Sequence, residues 1–167
     1  MNETQQERRT LVVAIEDLAT AGVVAVEAAR VARDMNVNHI TLVHVLNEHT
    51  LISALFGAAN YAAPIAETED EGAQLLKVAE SDIRAEYRAV DTAAPTFESL
   101  VSDGFPARVI EEAAHSSGVV GVVLGARRPH ALGRLTHADV RSHVSSRLSV
   151  PVRIAALQAA QTDDAKS

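Results

Sequence analysis

The segment Val119–Ile154 has the residue types and spacing of a unit that could hold an anion. A Val-rich apolar run stops at Gly125, and a polar loop that contains several arginines follows. An amphipathic helical pattern comes next, and a second apolar strand opens at Val150-Pro151. Where a strand passes through glycine to the start of a helix, backbone N–H groups and the helix dipole converge, and α/β proteins bind phosphate there. The side chains at these positions decide whether this chain does so.

Arginines set this segment apart from the rest of the chain. Between Gly125 and Leu157 there are six arginines and one acid, Asp139, so the segment carries +5 although the whole chain carries −7. A solvated basic face that balances an acidic body is one interpretation, and it needs no ligand. An anion site is the other, because guanidinium groups pair well with phosphate. The six are Arg127, Arg128, Arg134, Arg141, Arg147 and Arg153.

The histidines do not have the spacing of a metal site. His39 and His44 are five residues apart on a predicted strand and therefore point to opposite faces. His137 and His143 are six apart and do not stack on a helix. There is no H-E-x-x-H motif and no Cys to supply a thiolate. We therefore expect structural or surface histidines and no metal.

Size and composition indicate one ordinary domain. The 167 residues suffice to bury a core, and the net charge of −7 argues against nucleic-acid binding. The first apolar run, Leu11–Ile15, is interrupted at once by Glu16 and Asp17, whereas a membrane span needs about 20 apolar residues. We expect a cytoplasmic protein that binds neither nucleic acid nor membrane.

Apolar runs alternate with helical patterns along the chain. Strands are predicted at Leu11–Ile15, His39–Leu46, Pro95–Val101, Val119–Leu124 and Val152–Leu157. The helical patterns include one capped by Thr20, one from about Glu69 to Val90, and one that starts at the Gly104-Phe105-Pro106 turn. Such alternation predicts an α/β fold, a single-domain open parallel five-stranded sheet with helices on both faces. The uninterrupted runs Leu11–Ile15 and Val119–Leu124 should be its buried central strands.

These segments, in this order, resemble the universal stress protein family. LVVAIED resembles its opening strand, ITLVHV its second strand, LISALFGAANYA the apolar segment after that strand, VGVVLGAR the strand before the phosphate loop, and SVPVRI the closing strand. Gly104-Phe105-Pro106 matches the Gly-x-Pro turn of the family. The resemblance implies the adenine nucleotide alpha hydrolase-like (Usp) fold over residues 10–157, between flexible tails at residues 1–9 and 158–167.

The departures from the family pattern fall on the phosphate loop. Nucleotide-binding members carry glycine, two residues, glycine, nine residues, then glycine followed by Ser or Thr. Here those positions are Gly125, Arg128, Ala138 and Asp139. A Cβ at two of the glycine positions disfavours a backbone nest. The carboxylate of Asp139 would repel a phosphate, although an acid also suits the start of a helix.

The resemblance also carries over candidate nucleotide-binding positions, and no catalytic residue. Glu16 stands where the family places an acid, usually Asp, beside the adenine and ribose, and Val45 stands where an apolar side chain packs against the adenine. The candidates are Ala14, Ile15, Glu16, Val45, Gly125, Arg127, Arg128, Asp139 and Val140.

The resemblance implies a universal stress protein without the full ATP motif, that is, a non-enzymatic regulatory or adaptor protein of the stress response with no cofactor. It implies a homodimer through the last strand, Val152–Leu157, which in the family pairs antiparallel with its two-fold mate, and an unidentified protein partner. The alternative is a regulator that binds ATP, ADP, AMP or cyclic AMP in a pocket where Arg127 and Arg128 replace the glycine nest. Slow ATP hydrolysis is a third possibility, for which the sequence offers no evident base or metal carboxylate.

Overall fold

Strands and helices alternate wherever the chain is described. The computed structural model describes residues 7–46, 68–126 and 137–156. Its strands are β1 (Thr10–Ala14), β2 (His39–Val45), β3 (Thr96–Ser102), β4 (Val119–Ala126) and β5 (Val152–Ala156). Its helices are α1 (Leu18–Asp34), α2 (Glu69–Arg88), α3 (Pro106–Ala114) and α4 (His137–Arg147). The predicted order of elements is confirmed.

The five strands of the described chain form one parallel sheet in the order β3-β2-β1-β4-β5. β1 lies in the middle, and Leu11, Val12 and Val13 are fully buried. Val122 and Val123 of β4, its neighbour, are fully buried too. Helices cover both faces of the sheet, so an inner strand has no side that faces solvent and is apolar at successive positions. Continuous apolar runs such as these therefore form the central strands. The predicted fold and its two central strands are confirmed.

Each face of the sheet has its own apolar core. Successive side chains of a strand point to opposite faces, so Leu11 and Val13 pack with α1 and α2, whereas Val12 packs with α3 and α4. We refer to these as the α1/α2 face and the α3/α4 face. None of the described helices is long and apolar enough to cross a membrane.

The start of α1 differs from the prediction. Asp17, not Thr20, is the N-cap, and its Oδ1 accepts the Thr20 N–H at 2.9 Å and the Thr20 hydroxyl at 2.9 Å. Thr20 lies inside the first turn and is 3% exposed. A carboxylate three residues earlier can accept both donors, so Asp17 is the better cap. The cap prediction for Thr20 was wrong.

Several element boundaries also shift by one or two residues. α2 begins after Thr68 with a reciprocal capping box to Glu71 and ends at Arg88, two residues before the predicted Val90. β4 continues to Ala126, beyond the predicted end at Leu124, because it keeps pairing with β5 after β1 has ended. β5 is described to Ala156, and Leu157 lies outside the described residues.

Candidate ligand site at the carboxyl edge of the sheet

The strand order reverses direction between β1 and β4. From β1 the chain builds outward through β2 to β3, and β4 then starts the other half of the sheet, which continues to β5. In open parallel sheets, ligands bind outside the carboxyl ends of the strands at such a switch point. The register pairs Ala14 with Leu124, so Ile15 and Gly125 follow on neighbouring strands at this edge.

Three of the predicted site residues lie on the α3/α4 face. Ala14 from the end of β1, Val45 from the end of β2 and Val140 from the first turn of α4 pack against the same apolar cluster. All three are half-buried. All three therefore contribute partly exposed apolar surface on one face of the sheet, the kind of surface on which the flat face of a base can pack.

Ile15, by contrast, turns its side chain into the core of the α1/α2 face and is 2% exposed. Only its main chain lies at the edge, and both of its polar groups are held. The Ile15 N–H donates to Val43 O at 2.9 Å, and Ile15 O accepts a hydrogen bond from His44 Nδ1 at 2.8 Å. Ile15 therefore positions the end of β1 rather than offering a side chain to a ligand.

His44 fixes this end of the sheet and was not among the candidate residues. It is 1% exposed, as expected for a packed strand residue, and it packs against the first turn of α2. A Cβ added at Gly72 would lie 2.9 Å from His44 Cδ2, so the glycine lets α2 approach β2 closely. The Leu-His-Val run shows the strand but gives no sign of this helix contact.

Gly125 lies inside β4 rather than at its end. It pairs with Ala155 of β5, and a Cβ at this position would lie 3.0 Å from Val24 Cγ2 and 3.6 Å from Thr20 Oγ1. The glycine is needed for close approach of α1 to the sheet, since its backbone has no positive φ. The first glycine of the predicted phosphate loop is thus part of the sheet and of its packing.

The phosphate side of the site lies largely outside the described residues. Arg127 and Arg128 fall between the described ranges. Asp139 is in the first turn of α4, and its side chain is not described. The roles assigned to these residues from the sequence therefore stay predictions.

The described part of the carboxyl edge is mainly acidic. Glu16 is half-buried two residues after the end of β1. Hydrogen bonds from the Thr68 backbone and then from its hydroxyl lower the pKa of Glu71. Arg108, in the first turn of α3, donates to Glu112 of its own helix at 2.9 Å. A polyanion approaching this edge would meet like charges. The acids there are Glu16, Asp17, Glu69, Asp70, Glu71 and Asp103.

Metal-ligand geometry is not found within the described ranges. No group of three or more His, Asp or Glu side chains in them could hold a metal ion. The acids at the carboxyl edge are spread along it and do not converge on one point. Their combined negative charge can repel or orient a charged ligand.

Known proteins share this architecture. The sequence model of the universal stress protein family matches residues 7–155, whereas no curated protein matches the chain. The structure is similar to that of a universal stress protein from Archaeoglobus fulgidus, at 20% identity over 88% of this chain and 97% of that chain, with a TM-score of 0.58. An Archaeoglobus fulgidus universal stress protein in complex with dAMP has 19% identity over 89% and 98% of the two chains and a TM-score of 0.58. A universal stress protein in complex with cAMP has 20% identity over 89% and 96%, with a TM-score of 0.56. These structural similarities show the fold. The family model matches the chain from the residues before β1 into β5, so the chain belongs to the universal stress protein family.

Proposed function

We propose that this universal stress protein is a non-enzymatic regulator of the stress response whose site does not bind the phosphates of a nucleoside triphosphate. The position of Gly125 carries the proposal. Its backbone belongs to the ladder with β5 and its missing Cβ makes room for Val24, so this glycine serves the sheet and the helix packing. A phosphate grip would then depend on the later motif positions, which are Arg128, Ala138 and Asp139.

Electrostatics support the same conclusion. Glu16 and Asp17 lie two and three residues after the end of β1, and the first turn of α2 adds three more acids at this edge. Each additional phosphate on a ligand increases the repulsion from these side chains, and exposed arginines lose part of their attraction to solvent and salt. A ligand with little charge is therefore favoured over ATP.

The alternative function, nucleotide sensing, has one specific observation in its favour. Two structures with the same fold are complexes with dAMP and with cAMP, nucleotides with a single phosphate. In this chain Ala14, Val45 and Val140 pack against one apolar cluster, which supports a site for a base, and the carboxylate of Glu16 is chemically able to accept a hydrogen bond from a ribose hydroxyl. We propose that any nucleotide bound here carries one phosphate.

Calorimetry with ATP and AMP tests both proposals. We expect no ATP binding in the micromolar range, and AMP to bind more tightly than ATP if either binds. Asp139→Ser should strengthen ATP binding, since it replaces a carboxylate with a hydroxyl that can donate to phosphate. Glu98→Gln, which removes one negative charge from β3 near the opposite edge of the sheet, is the matched control and should change neither affinity. Micromolar or tighter ATP binding by the unmodified protein would overturn the main proposal and favour the alternative.

We also propose a homodimer through β5. In the described chain β5 pairs only with β4, so its outer edge presents unpaired backbone groups. Ile154 is 43% exposed on this strand, and an isologous antiparallel pairing would cover it together with the edge. Arg153, the charged residue of the strand, lies on the α1/α2 side. The pKa of Glu27 in α1 is lowered mainly by its hydrogen bond with Arg30, and the charge of Arg153 makes a smaller contribution in the same direction.

Light scattering of two matched variants tests the dimer. Ile154→Lys should give a monomer, because it places a charge in the proposed contact. Leu100→Lys, at a side chain that is 39% exposed on the other edge strand, β3, should stay dimeric. A wild-type monomer at tens of micromolar, or dissociation by Leu100→Lys alone, would contradict the β5 interface.

A further inference from the structure

A polar cluster lies at the opposite, amino edge of the sheet, where no ligand role is expected. His39, the first residue of β2, is 8% exposed and stands on the α3/α4 face between the segment before β1 and strand β3. Arg8 comes from that segment, and Thr96 and Glu98 come from β3. The four residues are far apart in sequence and meet only in the folded sheet.

Hydrogen bonds around His39 define its neutral form. The Thr96 hydroxyl donates to Asn38 O at 3.2 Å, so it accepts from His39 Nδ1, 2.7 Å away. With the proton on Nδ1, the other ring nitrogen, Nε2, is an acceptor, and the Arg8 guanidinium donates to it. The neutral imidazole is therefore the form that holds Arg8.

The same guanidinium also binds a carboxylate that lies close to the ring. Arg8 Nη2 is 3.1 Å from Glu98 Oε2, and His39 Nε2 is 3.4 Å from that same oxygen. Glu98 can thus pair with either cation without moving far. A proton on Nε2 would end the hydrogen bond from Arg8, place two positive charges side by side, and give Glu98 a new donor.

The chain around Arg8 is closely fitted to the sheet. Arg9 O accepts the N–H groups of Asn38 and His39, both at 3.1 Å, and Asn38 Nδ2 donates to Glu7 O at 3.1 Å. Gly118 has a φ of 82°, and a Cβ there would collide with Arg8 O. Anything that displaces the Arg8 side chain therefore acts on a segment that is bound at the edge of the sheet.

We propose that His39 is a proton-controlled latch: the neutral ring holds Arg8 and the residues preceding β1, and its protonation transfers Glu98 from Arg8 to the imidazolium and loosens that segment. The latch lies at the edge opposite the candidate ligand site, and its operation does not depend on any ligand. It gives this family member a response to acid within the fold itself.

The burial of His39 and the charges around it set the pH range in which the latch works. Burial and then the positive charge of Arg8 lower the pKa of His39 from its usual 6.5, and Glu98 opposes them. At the C-terminal end of α3, which packs on the same face of the sheet, the ring of the cap residue His115 bonds Glu111 O at 2.7 Å. Because the unfolded chain binds this proton at a higher pH than the folded chain, the free energy of unfolding falls as the pH drops below 6.5, until the folded-state pKa is reached.

Histidine side-chain NMR titrations of the full chain test the charge network, with His39 assigned by loss of its signals in His39→Gln. The His39 pKa should lie below 6.5, rise in Arg8→Gln, and fall further in Glu98→Gln. Arg9→Gln is the matched control, because the Arg9 guanidinium bonds Met35 O and does not reach the ring. Opposite shifts in the two variants would show that both charged side chains act on the ring, and the release of the segment needs the separate test below. An unchanged or lowered pKa in Arg8→Gln would overturn the proposal.

Amide hydrogen exchange of the N-terminal peptide tests the release itself. After correction for the intrinsic effect of pH, the amides that bind this segment to the sheet should lose protection as His39 is protonated below 6.5. They are the Arg9 N–H, which donates to Asn38 Oδ1 at 2.9 Å, and the Asn38 and His39 N–H groups, which donate to Arg9 O. In His39→Gln, which keeps hydrogen-bonding groups but cannot titrate, protection should no longer depend on pH. Equal protection of the wild-type segment above and below the measured His39 pKa would show that no latch exists.

Discussion

Replacing Gly125 with Ala asks whether the first glycine of the phosphate loop serves packing or ligand binding. Its added Cβ would lie 3.0 Å from Val24 Cγ2, which is closer than side chains normally approach, and 3.6 Å from Thr20 Oγ1. Val24 is fully buried in α1, and because protein interiors are closely packed, it could move only by displacing its neighbours. The helix would have to lift from β4 by a few tenths of an ångström, or Val24 would have to leave its preferred rotamer.

The cost can be estimated from overpacking. Inserting a methyl group into a well-packed core destabilises a protein by about 1–3 kcal/mol, and we expect a loss near the middle of that range. For a chain of this size, a change of 1 kcal/mol shifts Tm by roughly 2–4 °C, so a loss of ~2 kcal/mol should lower Tm by ~6 °C. The loss should be present without any ligand, because it arises between the helix and the sheet.

Urea unfolding followed by circular dichroism gives the free energies. Val24→Ala alone should cost about 2 kcal/mol through lost burial and a cavity, but it also makes room for the new methyl group. The double variant should therefore be more stable than the sum of the two single losses predicts, by about 1 kcal/mol. Gly22→Ala is the matched control: this glycine is exposed in the same helix with nothing within 4 Å of an added Cβ. It should stabilise the protein by about 0.8–1 kcal/mol through helix propensity.

Two results would refute the packing argument. One is a Gly125→Ala protein as stable as the wild type. The other is strict additivity with Val24→Ala. Either result would indicate that Gly125 serves the ligand loop rather than the packing of α1 on the sheet. It would also weaken the proposal that the site does not bind a triphosphate.

Two further predictions concern α2. Tyr87 Oη and Arg33 Nη1 are buried without a hydrogen-bond partner in the described structure, and the Arg33 Cζ lies 5.4 Å from the Tyr87 ring centroid. Tyr87→Phe keeps the ring and removes the unpaired hydroxyl, so thermal and urea unfolding should show equal stability or a gain of up to about 1–2 kcal/mol. A loss larger than ~1 kcal/mol would mean that the hydroxyl has a partner. Thr68→Ala removes the side chain that accepts the Glu71 N–H at 3.2 Å, and it should cost about 1 kcal/mol in the same assay. Thr68→Ser keeps the cap and should stay within a few tenths of a kcal/mol of the wild type, and equal losses in the two variants would contradict the capping role.

The fold could be predicted because its signals are local. A continuous aliphatic run such as Leu11–Ile15 has one low-energy place in an α/β domain, a strand covered on both faces. Helical periodicity and the Gly104-Phe105-Pro106 turn mark the connections, and residues 10–157 match the predicted element order wherever they are described. The boundaries could not be predicted from local signals, since the end of a strand depends on whether its neighbour continues, as β5 does beside Gly125 and Ala126.

The candidate site was only partly predictable. Ala14, Val45 and Val140 were candidates through the family resemblance, and in the structure they lie on one face of the sheet, in β1, β2 and α4. The sequence could not show that Ile15 turns into the core, or that Gly125 is needed by α1, because both depend on how closely a helix packs on the sheet.

The sequence alone determined the class of fold, the buried strands and the departures from the phosphate motif, since these follow from residue type and spacing along the chain. Tertiary structure alone decided which residues became neighbours. Glu98 and Arg8 are 90 positions apart, and His39 is 31 positions from Arg8. The sheet nevertheless brings the three side chains into contact, so that a proton on His39 would affect all three. Strand pairing brings distant parts of the chain into register, and the ionisation of a side chain depends on whatever charge and burial that register provides.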